Sequence, residues 1–232
     1  MPSILYHQAF AELVFPMLKE RFANLNEIKF YTGNQIPDRV ADKNATHLFV
    51  PTENEWFWAP DIKRIKKMWL DITDSVKLGI YTHLYLDHAF ITQFLLKEYE
   101  YDIPAKEVIF VRKLMDKKIL DSEIRIEKKF TISKDQFFSD AGLYGAYTEI
   151  NGELLKNKKV TLQHLYDIPE ELPKVGIKEF DEFKPGTWKA ELMGYLAQYF
   201  AENRSYTGRI IEFKSMWGAL ENIAKQFTKE FD

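Results

Sequence analysis

The chain carries five histidines and no cysteine. A thiolate nucleophile, a disulfide framework and a sulfur-ligated metal are therefore excluded, and any metal must be held by His, Asp, Glu or backbone oxygen. His7, His47, His83 and His88 fall in the first part of the chain, with aspartates close by. His83 and Asp87 stand at i and i+4, which on a helix places their Cβ atoms about 5–6 Å apart on one face. One ion can touch both, and the pair reads equally as a buried hydrogen-bonded couple. His7, taken alone, is a core histidine on an apolar stripe; Asp38 after Pro37 is a turn acid, and His47 after Thr46 a loop histidine. Together they make three imidazoles and two carboxylates, a donor set suited to one or two zinc ions at about 2.0–2.2 Å.

The elements that must carry these groups are mostly helical. Over residues 3–22, Ile4, His7, Ala11, Val14 and Leu18 recur at steps of three and four, marking a helix with Pro16 inside it and His7 on its apolar stripe. Residues 27–48 lose that period and gather Gly33, Asn34, Pro37 and Asn44, which reads as a long connecting loop with a short strand at 28–31. Trp56, Phe57 and Trp58 lie between Pro51 and Pro60. They form either an apolar lip for a lipid or stacked base or a plug that anchors the loop. A short basic helix follows over 61–71, and Asp74 or Ser75 can cap a buried helix from 76 to about 97 that bears His83 and Asp87.

Beyond it, residues 107–112 and 123–131 read as a small extended hairpin, an insertion near 105–131. Ser133-Lys134-Asp135-Gln136 has capping-box spacing and opens a helix expected to run to about residue 155. A Pro-rich bridge over 168–185 leads to helices near 187–202 and 209–230. The expected architecture is a single mainly α domain over 1–232, with the metal-bearing part at 3–97 and a second helical part at 133–232.

Bulk composition bounds the function. At 232 residues the chain can bury roughly 70–75% of its unfolded surface. A formal charge of −3 gives no whole-molecule attraction for nucleic acid or anionic membrane. The segment 78–96 is apolar but contains His83, Asp87, His88 and Gln93, which a lipid-facing span would tolerate poorly. With no signal-like start either, the chain is expected to be cytoplasmic. No GxGxxG, GxxxxGK[ST] or Gly-x-Ser-x-Gly motif occurs, so nucleotide-loop and serine-hydrolase chemistry lack local support.

In order along the chain, helix-borne His7, Gly33-Asn34-Gln35-Ile36-Pro37-Asp38, Thr46-His47 and Gly79-Ile80-Tyr81-Thr82-His83-Leu84-Tyr85-Leu86-Asp87 resemble the zinc-dependent phospholipase C family, related to zinc nucleases of single-stranded nucleic acid. The resemblance covers roughly residues 3–96. It implies a multi-helix bundle with Asp38, His47, His83 and Asp87 around one zinc, His7 and Asp87 on a second, and Asp87 as the bridge. A third family site would need a histidine six positions after Asp87, where Gln93 stands, and a later His-x-x-x-Glu that is absent. Among later residues, His164, Asp140 and Glu149 could complete a site, on residue type alone. His88 is read as structural.

Two zinc ions about 3.5–4 Å apart would share a hydroxide and stabilise charge on phosphorus-bound oxygens. The expected function is accordingly metal-dependent hydrolysis of a phosphate ester, with phospholipid-like substrates ahead of nucleic acid. Asp38 would be a ligand or the acceptor of the water proton, and Arg39 a phosphate contact or a surface ion pair. The alternatives are a non-catalytic helical protein that uses a structural metal and acts through a partner, and a single-metal phosphohydrolase of small esters.

Overall fold

The computed structural model describes residues 2–69, 73–119, 122–140, 142–184, 188–201 and 213–231. The first helix, α1 (Ile4–Arg21), starts where the Ser3 hydroxyl accepts the Tyr6 amide hydrogen, and it carries Lys19 and Arg21 in the last turn, complementing the helix dipole. Residues 5–11 of α1 are buried in unbroken succession. Helix α2 (Glu27–Gln35) begins at an Asn26 cap bonded to the Lys29 amide at 3.0 Å. A 3-10 turn over Ile36–Asp38 leads to α3 (Lys43–His47), capped by Asp42.

The predicted loop with a strand at 28–31 is therefore replaced by helices. Residues 30–35 are all buried, packed between α1 and the later helix bearing His83, so no polar face exists to generate a 3.6-residue stripe. A short hairpin of β1 (Phe49–Pro51) and β2 (Trp58–Pro60) follows, then the basic helix α4 (Ile62–Met68), whose predicted extension toward residue 71 ends outside the described residues.

The central helix is α5 (Ser75–Ala89), capped by Asp74 onto the Val76 and Lys77 amides, each at 3.0 Å. It continues through a π-helical segment, Phe90–Leu95, into α6 (Leu96–Glu98), in agreement with the buried helix expected over 76–97. α5 crosses α2 antiparallel through two glycines. A Cβ on Gly79 would stand 2.0 Å from the Phe30 carbonyl oxygen, and one on Gly33 would stand 2.0 Å from that of Val76. Only hydrogen at both positions permits this approach.

The sheet is an antiparallel meander of β3 (Glu100–Asp102), β4 (Glu107–Ile119) and β5 (Ser122–Ser133). The expected hairpin is present and longer than its sequence limits, pairing from Glu107↔Ser133 to Ile119↔Ser122. Its base is anchored by Val108 and Phe110. The Ser133/Gln136 capping box forms, yet the helix it opens, α7 (Lys134–Phe137), lasts one turn. The predicted single helix to 155 is split, and α8 (Leu143–Lys156) starts anew after Gly142. Cβ atoms at Gly142 and Gly145 would clash with the carbonyls of Phe137 and Asp140, so the chain folds back tightly there.

Short helices α9 (Leu162–Tyr166) and α10 (Lys178–Asp181) punctuate the Pro-rich bridge, which pairs with the site side of the molecule through Val40↔Phe183. Helices α11 (Trp188–Ala201) and α12 (Phe213–Lys229) match the two expected at the end, whose predicted limits at 187, 202 and 209 lie outside the described residues. α12 buries Met216, Leu220, Ile223, Ala224 and Phe227, which recur at helical spacing, against α1 and α5. Phe227 meets Phe10, Tyr81 and Tyr85 at ring-centroid distances of 5.7, 5.8 and 4.9 Å. The architecture is mainly α, with two small sheets. Among the described residues, no helix is long and apolar enough to cross a membrane.

Candidate metal centre

Four of the five sequence-selected side chains converge in the core, and the fifth lies at their edge. His7 comes from the first turns of α1, His47 from the end of α3, and His83 and Asp87 from α5. Asp87 is the hub. Its Oδ1 lies 3.3 Å from His7 Nε2, while its Oδ2 lies 3.1 Å from His47 Nε2 and 3.4 Å from His83 Nε2. The His7 and His83 rings stack face to face, 3.6 Å apart and parallel within 1°. Asp38, in the 3-10 turn, completes a second group with His47 and His83.

Two of the three imidazoles are oriented from behind, whereas His7 Nδ1 is buried without a hydrogen-bond partner among the described residues. His83 Nδ1 is 2.7 Å from the main-chain oxygen of Asn34, and His47 Nδ1 is 2.7 Å from that of Lys43. A carbonyl can only accept, so each Nδ1 carries the hydrogen and each Nε2 is left facing inward. Backbone support of this kind fixes tautomer and ring plane in metal-ligating histidines. The α2–α5 glycine crossing brings Asn34 within reach of His83, which explains why two adjacent helices must approach so closely at this level.

The inward-facing atoms are nevertheless unsatisfied. His7 Nε2, His47 Nε2, His83 Nε2 and both Asp87 oxygens are buried and lack a partner in hydrogen-bond geometry among the described residues. Five such orphans in one place carry a large desolvation cost, which a cation at their centre removes. The donor set, nitrogen and carboxylate oxygen without sulfur, suits a divalent transition metal. Buried His7, His47, His83 and Asp87 can thus hold a metal ion, and the two groups, His7/His83/Asp87 and Asp38/His47/His83, share His83.

Burial and mutual charge set the electrostatics of the cluster. Burial, reinforced by neighbouring His83, pulls the His7 imidazole down to about 4 against the opposing pull of Asp87. Burial also opposes the Asp87 carboxylate, but His7 and the contacts with His47 and His83 hold it well below the usual carboxylate range. Asp38 shows the same balance: burial raises it, while His83, His7 and Lys43 together bring it to about 2. Burial lowers His83, yet the contact and charge of Asp87, with Asp38 and the Asn34 carbonyl, leave it raised above 6.5.

The remaining candidates serve elsewhere. His88 Nδ1 donates to the Pro60 carbonyl at 2.8 Å and ties β2 to α5, as its structural reading required. His164 lies between Glu12 and Glu27, at 3.1 and 3.3 Å, with its ring stacked on Tyr31. It joins neither ligand group, and nor do Asp140 and Glu149. Gln93 lines a polar cleft of about 340 Å³ against α12, with Asn222 and Gln226 opposite. Of the aromatic triplet, Phe57 is the plug, packed on Tyr101 and Phe138, whereas Trp58 is 55% exposed.

Two contributors went unread in the sequence. The carbonyl of Asn34 is invisible because any residue supplies one. Lys43 did leave a trace, standing one helical turn before His47, and its ammonium lies 2.7 Å from Asp38 Oδ1. Neither a protein-family model, nor a curated protein, nor a solved structure matches the chain.

Proposed function

We propose that the protein is a zinc-dependent hydrolase of phosphate esters, built as a phospholipase C-like helical bundle and acting on phospholipid-like substrates ahead of nucleic acid. The observation that supports this reading is the convergence of three inward Nε2 atoms on a carboxylate whose two oxygens face different imidazoles. That is the disposition a carboxylate bridging two metals requires. Zinc bound there supplies Lewis-acid charge and lowers the pKa of coordinated water toward neutrality. The chain's own groups do the rest. Asp87 joins the two halves, His83 and His47 are held in their ligating tautomer, and Asp38, one-fifth exposed, is placed to orient water or accept its proton at the solvent edge.

A second reading is favoured by burial. His7, His47, His83 and Asp87 have side-chain exposures of 0–2%, as in a metal that staples a core and leaves function to a partner surface. Elemental analysis combined with turnover of bis-p-nitrophenyl phosphate and a short-chain phosphatidylcholine separates the two. Bound zinc with turnover abolished in Asp87→Asn supports the hydrolase. Zinc without turnover of either substrate supports the structural metal, and absence of both leaves only a His–Asp network.

A further inference from the structure

Asp38 is the one candidate ligand whose side chain reaches solvent, at 20% exposure, and the Lys43 ammonium, 40% exposed, sits 2.7 Å from its Oδ1. Lys43 opens α3 and His47 closes it, so the five-residue helix presents a cation at the rim and an imidazole in the interior. The two ends are coupled, since the Lys43 carbonyl holds His47 Nδ1. An oxyanion that meets Asp38 from solvent comes within reach of Lys43.

We propose that Lys43 is the group that binds a phosphoryl oxygen of the substrate, bridging it to Asp38. The inference rests on the hydrolase reading and extends it to substrate recognition. An ammonium offers three donors. Among the described residues its one ion pair is with Asp38, and the ammonium keeps donors for an anion at the rim. Lysine binds phosphate as a compact point charge on a flexible stem, so it can follow an anion without dislodging the backbone behind it. The pair with Asp38 also keeps that charge in place before substrate arrives. A lysine whose sole task was to neutralise Asp38 would act on metal retention and not on anion affinity.

The test uses the zinc-loaded protein, with inorganic phosphate as probe in isothermal titration, alongside elemental analysis and turnover of bis-p-nitrophenyl phosphate. Lys43→Gln is expected to keep its zinc and lose about 10- to 100-fold in phosphate affinity, the loss of one charge-assisted hydrogen bond. Lys43→Arg should recover most of it, because the positive charge is restored. Unchanged phosphate affinity in a fully zinc-loaded Lys43→Gln overturns the assignment while leaving the hydrolase standing if turnover persists. Loss of zinc in Lys43→Gln overturns it too, making Lys43 a support for Asp38. A zinc-loaded wild type that neither binds phosphate nor turns over the ester removes both readings at once.

Discussion

Replacing Asp87 by asparagine tests the centre most directly, because the carboxylate touches all three imidazoles. Oδ1 faces His7 Nε2 at 3.3 Å, and Oδ2 faces His47 and His83 at 3.1 and 3.4 Å. The amide keeps one oxygen and converts the other into a hydrogen-bond donor aimed at an imidazole lone pair, the reverse of what a cation needs. With free zinc at one hundred times its dissociation constant, binding to the folded wild type adds about 2.7 kcal/mol. For a chain of this size, roughly 2–4 °C accompanies each kcal/mol, so zinc should raise the wild-type Tm by about 5–11 °C. In Asp87→Asn the same zinc concentration should move Tm by less than about 2 °C, measured by calorimetry with and without chelator. The comparison is internal to each variant, so a general loss of stability does not obscure it. His88→Gln serves as control and should retain the full shift, because His88 is spent on the Pro60 carbonyl. A full zinc shift in Asp87→Asn, or its disappearance in His88→Gln, would refute the placement of the ion.

Other perturbations probe the supporting structure. His83→Ala removes the one residue common to both ligand groups and should abolish zinc binding altogether, whereas Asp38→Asn should leave the His7/His83/Asp87 group able to bind, as read by elemental analysis after gel filtration. Gly79→Ala forces a Cβ to 2.0 Å from a backbone oxygen that no side-chain rotation can relieve; it should cost more than the usual ~1–3 kcal/mol of over-packing, seen as a lower urea midpoint, and should weaken zinc binding by separating Asn34 from His83. Without zinc, the depressed His7 stabilises the fold fully above its ordinary value of 6.5, and that contribution is lost as pH falls toward about 4; His7→Gln should flatten the decline in urea midpoint across that window. His83, whose value is raised, has the opposite sign: its contribution is complete below 6.5 and fades as pH rises through the folded value, the range in which zinc competes best with the proton.

Helices with a polar face or a distinct cap were legible in the sequence. Asp74 and the Ser133/Gln136 box mark real starts, and α1, α4 and α5 lie where the residue pattern puts them, while the Ser3 cap of α1 went unread. α2 was missed because residues 30–35 are buried on every side, which erases the stripe, and because Gly33 reads as a breaker while its real role is close packing on Val76. The helix after Ser133 was drawn too long, since a capping box records where a helix begins and nothing of where it ends. At the centre, residue type and the His83/Asp87 spacing were enough to nominate five side chains that the fold brings to one place. What the sequence left silent was the main-chain half of the site, together with the degree of burial, because both arise from how helices cross.

The two carbonyl anchors aim the imidazoles through main-chain atoms and not through side chains. Residues 34 and 43 hold His83 and His47 through atoms that every amino acid possesses; Asn34 is itself fully buried, so of the two only the half-exposed position 43 can vary without repacking the helix crossing. A substitution at position 43 therefore alters the charge beside Asp38 while the carbonyl that aims His47 stays in place. Dispersing the inward-facing cluster, by contrast, requires moving a helix or replacing His7, His47, His83 or Asp87.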